Sequence, residues 1–151
     1  MKKLTTLFVA LFLCLGMAQA QDVYYSGNGN GIGKIWKNDS LLYSLTDSLN
    51  IQLKAIQVAD SGAVYGAGYA FDTASLQGRI WMNDSCVFNG GDSTYFDHLV
   101  LTANGWTAAG FNNVWQNGEL LYSYTHEEDE CHIYGLAVAH THQSSSLGEW
   151  L

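Results

Sequence analysis

The densest polar run in the chain is His126-Glu127-Glu128-Asp129-Glu130-Cys131-His132. Zinc takes imidazole, thiolate and carboxylate ligands. His126, Glu128, Glu130 and His132, with Cys131 beside them, are therefore the candidate metal ligands, and His140 and His142 could join them. Their spacing matches no zinc motif, and an acidic solvated loop is the simpler reading. Asp60 and Asp97 are the candidate carboxylates for acid–base work on a glycosidic bond, although Asp60 in Asp60-Ser61-Gly62 reads more simply as a turn residue. There is no G-x-S-x-G, H-E-x-x-H or phosphate-loop pattern, so no catalytic residue is assigned and no cofactor is expected. Five Trp, nine Tyr and six Phe offer binding instead. An exposed ring with polar neighbours can stack on a sugar face. Trp36, Trp81, Trp106 and Trp115 are the candidate ligand-binding residues. The regular strand positions of Trp36, Trp81 and Trp115 also suit packing between sheets, while Trp106 and Trp150 depart from that regularity.

The compartment follows from the N-terminus. Met1-Lys2-Lys3 is a basic start, LFVALFLCL (7–15) an apolar core, and Ala18-Gln19-Ala20 a small-x-small cleavage signal. Residues 1–20 read as a signal peptide, cut before Gln21. The apolar stretch falls short of the roughly 20 residues that span a bilayer, so no membrane span is expected after cleavage. The protein is then secreted or periplasmic. Cys86 and Cys131 remain, and in an oxidising compartment they could pair as a disulfide or stand as separate thiols. The spacing does not decide between these.

From residue 21 onward, four strong bases (Lys34, Lys37, Lys54, Arg79) face fourteen acids, a formal charge of −10. Nucleic acid is not an expected partner, because phosphate binding needs basic patches. The 151 residues include 48% hydrophobic and 13% charged side chains, no proline and 16 glycines. That excludes a disordered tail, a collagen and a coiled coil.

Self-comparison shows what would position these residues. VYYSG (23–27), VYGAG (64–68) and WTAAG (106–110) align, as do GKIWKNDSLLYSL (33–45), GRIWMNDSCVFNG (78–90) and NNVWQNGELLYSY (112–124). Gly27, Gly68 and Gly110 recur at intervals of 41 and 42, and Trp36, Trp81 and Trp115 at 45 and 34. The uneven Trp intervals place insertions between the V-Y-x-x-G strand and the Trp strand. Asn38-Asp39, Asn83-Asp84 and Asn117-Gly118 read as hairpin turns, Asn-Gly being the strongest such signal. AIQVADSGAVYGAGY (55–69) is a further hairpin, and its counterpart starts at Leu99 and turns at Asn104-Gly105. No sustained helical period is present. The units span about 23–62, 63–105 and 106–140, within a repeat domain at 21–140 followed by an irregular tail at 141–151.

Four short antiparallel strands per unit of about 42 residues is the pattern of a β-propeller blade. The expected fold is all-β, a propeller-like array of about three four-stranded repeats that forms an incomplete propeller. Over 23–140 the chain resembles secreted bacterial propeller-type repeat proteins of mostly unassigned function, with V-Y-x-A-G, W-x-N-G and L-Y units. Trp106-Thr107 departs from that pattern, and its motifs are structural, carrying no catalytic residue. Residues 23–46 would supply strands two to four of one blade, 54–90 and 97–125 two whole blades, and 133–140 a lone first strand. Three blades are too few for a ring of the usual 4–8. The chain is then a truncated copy, a subunit that completes its ring as a homo-oligomer, or an open stack or sandwich. The tail THQSSSLGEWL (141–151) starts no fourth unit, which favours truncation. The function expected is non-catalytic binding of a glycan or a protein through the blade loops. The alternatives are a glycoside-active propeller enzyme and a fragment without independent function.

Overall fold

The computed structural model describes residues 21–124 and 132–139. Among them lie eleven strands: β1 (Tyr24–Gly29), β2 (Ile32–Lys37), β3 (Ser40–Leu45), β4 (Asn50–Val58), β5 (Val64–Phe71), β6 (Leu76–Met82), β7 (Ser85–Asp92), β8 (His98–Thr102), β9 (Gly105–Gly110), β10 (Asn113–Gln116) and β11 (Glu119–Ser123). They form three antiparallel sheets, β1-β2-β3, β4-β5-β6-β7 and β8-β9-β10-β11. The described residues contain no helix long and apolar enough to cross a membrane.

Alternation along each strand decides which sheet meets which. In β5, Val64 and Ala70 join Trp81, Ile51 and Leu53 in a cluster with Ile35 and Leu45 of the first sheet. Their neighbour Ala67 joins Ile80 in a second cluster with Phe96, ahead of β8, and Leu99, Trp106 and Ala108 of the third sheet. The middle sheet is thus apolar on both faces and packs between the other two. Each fully buried Ile contributes about 1.5–3 kcal/mol relative to exposure. The face of a sheet directed toward the preceding one is here its front, the other its back.

The Asn turns share one solution. Asn38, Asn83 and Asn117 have left-handed φ of 54°, 58° and 48°, a region Asn tolerates better than other non-glycine residues. Each Asn side-chain oxygen accepts from a backbone N–H at the start of its sheet's V-Y-x-x-G or W-T-A-A-G strand, Val23 and Val64 at 3.0 Å and Trp106 at 2.9 Å. Each Asn N–H in turn donates to the carbonyl of that same residue, at 2.7, 2.7 and 3.1 Å. A register shift just before Trp36, Trp81 and Trp115 adds a bulge to each hairpin, which twists the outer strand.

Glycine is required where the inner strand bulges. A Cβ on Gly68 would run into the Gln52 carbonyl, and one on Gly110 into the Tyr95 carbonyl. Two readings from the sequence shift. β4 begins at Asn50, not near 54, because Ile51 and Leu53 are core residues. Residues 132–139 are not a strand, since no neighbouring strand supplies the ladder that would make them one. The segment is held along the third sheet by Ile133 N–H on the Phe111 carbonyl (2.9 Å) and by His98 Nε2 near the Ile133 carbonyl (3.0 Å).

Candidate functional site

The meander topology sorts the connections to two ends. The Asn turns and the hairpin turns at 59–63 and 103–104 lie at one, the turn end. The β1–β2, β5–β6 and β9–β10 loops and the inter-sheet connections at 46–49 and 93–97 lie at the other, the loop end.

An aromatic row crosses the loop end. Tyr69, near the end of β5, meets Phe71 at 5.8 Å and Tyr95 at 6.2 Å. Tyr95 meets Phe111 at 5.8 Å, Phe111 meets His132 at 5.2 Å, and His132 meets Tyr134 at 6.3 Å. The rings are tilted or edge-on, as their quadrupoles favour. The Tyr95 hydroxyl lies 3.4 Å from His132 Nδ1, and Lys54 sits 5.5 Å over the Tyr69 ring. The row starts half-buried and ends at Tyr134, which is 88% exposed. It therefore joins a fixed root to an open tip, with a cation, an imidazole and phenolic hydroxyls beside apolar rings.

A second polar group lies on the front of the middle sheet, where Arg79 forms an ion pair with Asp47 of the 46–49 connection. Gln77 accepts from Arg79 (3.0 Å) and from Asn89 (3.1 Å), and donates to Asp92 (2.9 Å). Burial pushes the Asp47 carboxyl up, but the Ser48 hydroxyl, the Arg79 guanidinium and the N–H groups of Leu49 and Ser48 outweigh it and hold it below its ordinary value. With both side chains largely covered, this is a device that fastens the first sheet to the second.

The tryptophans divide. Trp81 and Trp106 are 2% and 8% exposed and belong to the two cores, so neither offers a ring face to a solute. Trp115 packs on Phe88 at 5.5 Å across the second junction, with its indole N–H buried and unpartnered among the described residues. Trp36 lies on the open front of the first sheet, stacked on Tyr25 at 5.3 Å and 10°. Of the metal candidates, His132 stands in the aromatic row, while His126, Glu128, Glu130 and Cys131 lie outside the described residues. No group of three or more metal-binding side chains occurs among the described residues. Cys86 is on β7, and the desolvation of its sulfur raises its thiol pKa. Its proposed disulfide partner Cys131 lies outside the described residues.

Asp60 follows β4 at the turn end, and Asp97 precedes β8 at the loop end. A five-residue strand is about 17 Å long, so the two carboxyls lie farther apart than the roughly 5–9.5 Å of glycosidase pairs. The sequence reading missed Tyr69, Tyr95, Phe111 and Tyr134. None is a recurring anchor of the aligned segments, and only the topology brings them to one end. No protein-family model matches the chain, and no curated protein or solved structure matches it significantly.

Proposed function

We propose that this chain is a secreted, non-catalytic binding protein of β-propeller type that takes a carbohydrate at its loop end. The observation that carries the reading is the Tyr69–Tyr95–Phe111–His132–Tyr134 row. Pyranose faces present C–H groups that stack on aromatic rings, while their hydroxyls need donors and acceptors nearby. The row supplies both, with Lys54, His132 and the tyrosine hydroxyls among the rings. Three sheets of like hairpin geometry, successively packed, support the blade assignment. The signal-peptide pattern of residues 1–20 supports secretion.

The test is a glycan array followed by calorimetry on the best sugar. Saturable binding that Tyr134→Ala weakens about tenfold or more, the scale of one lost stacking partner, supports the reading. Absence of binding to any glycan, or binding indifferent to Tyr134→Ala and Tyr95→Ala together, overturns it. Turnover of a bound glycan would restore the enzyme reading.

A further inference from the structure

We propose that two copies of this chain close head to tail into one ring of six sheets, each copy completing the first sheet of the other with its residues 132–139. The inference rests on the propeller part of the reading above and is independent of the sugar.

The two junctions inside the chain define what a junction needs. At the first, Trp81 on the front of the middle sheet packs in the cluster of Ile35 and Tyr43 on the back of the first. At the second, Trp115 on the front of the third sheet packs with Ile80 and Phe88 on the back of the middle one. The register carries the pattern further. Trp36 opposes Tyr25 on the front of the first sheet, a face that no other sheet among the described residues covers. Val114 opposes Tyr122 on the back of the third, equivalent by register to Ile80 opposite Phe88. These two faces are the unmet halves of one more junction. Tyr25 and Leu41 on the front are 45% and 53% exposed, and Tyr122 on the back is 60% exposed. A cleft of about 360 Å³ also opens between Val114 and the 133–137 segment.

The backbone has the same complementarity. At or just before the inner strand of each following sheet a backbone N–H bonds to the sheet before it, Ile51 in β4 to the Gly31 carbonyl (2.9 Å) and Phe96 ahead of β8 to the Gly68 carbonyl (3.3 Å). Ile133 makes the equivalent bond to Phe111 (2.9 Å). Residues 132–139 thus stand where an inner strand begins, and no sheet among the described residues takes them in. The first sheet ends at β1, where β4 or β8 would be in the others, so among the described residues one ladder edge lacks its strand. An open edge of this kind is a template for pairing with another chain. Each copy then contributes three four-stranded units, and six is the multiple of three within the usual 4–8 blades. A head-to-tail contact whose rotation closes gives a finite ring.

The experiment is light scattering on the chain purified after secretion, with two variants that block opposite faces. The wild type is expected at twice the chain mass. Trp36→Arg and Val114→Glu each bury an unpaired charge at both junctions of a homodimer, and each alone is expected as a monomer. Their mixture is expected to recover a dimer, because one junction is then wild type and the other carries one introduced charge of each sign. Ala137→Pro lies outside every paired strand of the single chain and, counted from the Ile133 bond as Val100 is from the Phe96 bond, removes a ladder donor. It is expected to weaken association about a hundredfold or more without changing the circular dichroism. A wild-type monomer, a mass other than two copies, or a dimer that survives Trp36→Arg or Ala137→Pro overturns the ring. A monomer that still binds the sugar removes the ring and leaves the ligand reading standing. A dimer with no glycan affinity does the reverse.

Discussion

The turn end and the loop end are built from the same strands, yet they use opposite strategies. At the turn end the chemistry is the same in every sheet. Asn38, Asn83 and Asn117 each hold a left-handed φ and each exchange two hydrogen bonds with a residue at the start of a neighbouring strand. One backbone problem recurs, and one residue type solves it. At the loop end every junction differs. The first sheet is tied to the second by Asp47–Arg79, the second to the third by Tyr69–Tyr95, and the third to the following segment by Phe111–His132. Uniform solutions fix a scaffold, and singular ones are where a ligand can be specified.

The most severe way to break this division is to disturb the strands that both ends share. Gly110→Ala places a Cβ against the Tyr95 carbonyl, and backbone cannot rotate away as a side chain can. The connection leading into β8 must shift, moving Tyr95 and Phe96 with it. A loss of about 3 kcal/mol is expected, read as a lower urea midpoint. A loss below about 1 kcal/mol would mean that the bulge is soft.

The contrast also explains what the sequence disclosed. The turn Asn residues, the Trp strands and the inner hairpins were legible because their signals are local and recur. The offset between sequence units and sheets was legible too, since the inner strand of each sheet comes from the end of the preceding unit. The aromatic row was not. Tyr95 and Phe111 lie in connections whose spacing differs from unit to unit, and their meeting depends on how the third sheet turns relative to the second. Trp106 looked free because it stands where the aligned units have valine and outside the regular Trp positions, but its alternation along β9 directs it into the core with Ala108.

The next effect in size separates a structural contact of the loop end from a recognition surface. Asp47→Asn removes the charge that Arg79 faces, and the side chains are only 22% and 11% exposed. Leaving a covered guanidinium unpaired is expected to cost about 2 kcal/mol, less than for a fully buried pair. The Asp47 pKa is depressed in the folded state. Its contribution is therefore fully present above the ordinary carboxylate value and fades as pH falls through the lowered one. Thermal melts of wild type and Asp47→Asn should begin to approach each other only below about pH 4 and meet beneath the lowered Asp47 value; melts that stay parallel in acid would detach the ion pair from stability. Asp22–Lys37 at the turn end supplies the control, a 2.8 Å pair between exposed side chains. Asp22→Asn should leave the melting temperature unchanged.

At the turn end, Asn83→Ala should be costlier than Asn83→Gly. Alanine loses the bond to Val64 N–H and resists the φ of 58°, whereas glycine loses only the bond. The expected costs are about 1.5–2 and about 1 kcal/mol, from chemical denaturation. Equal costs would show that the left-handed φ contributes nothing there and that the hydrogen bond alone selects asparagine.

The smallest stability effect should accompany the largest functional one. Tyr134 is 88% exposed and meets the His132 ring at a tilt, so Tyr134→Ala removes little buried area. A change within about 0.5 kcal/mol is expected, as at other open surface positions. The same substitution takes away the ring that a sugar would meet first at the tip of the row. Tyr69→Ala reverses the balance. That ring is half-buried between Lys54 and Tyr95, and its loss should lower stability as well as affinity. Measuring both variants for melting temperature and glycan affinity separates a row that binds from one that only packs. If affinity falls in step with stability, and Tyr134→Ala changes neither, the loop end is a second scaffold and recognition must be sought elsewhere on the molecule.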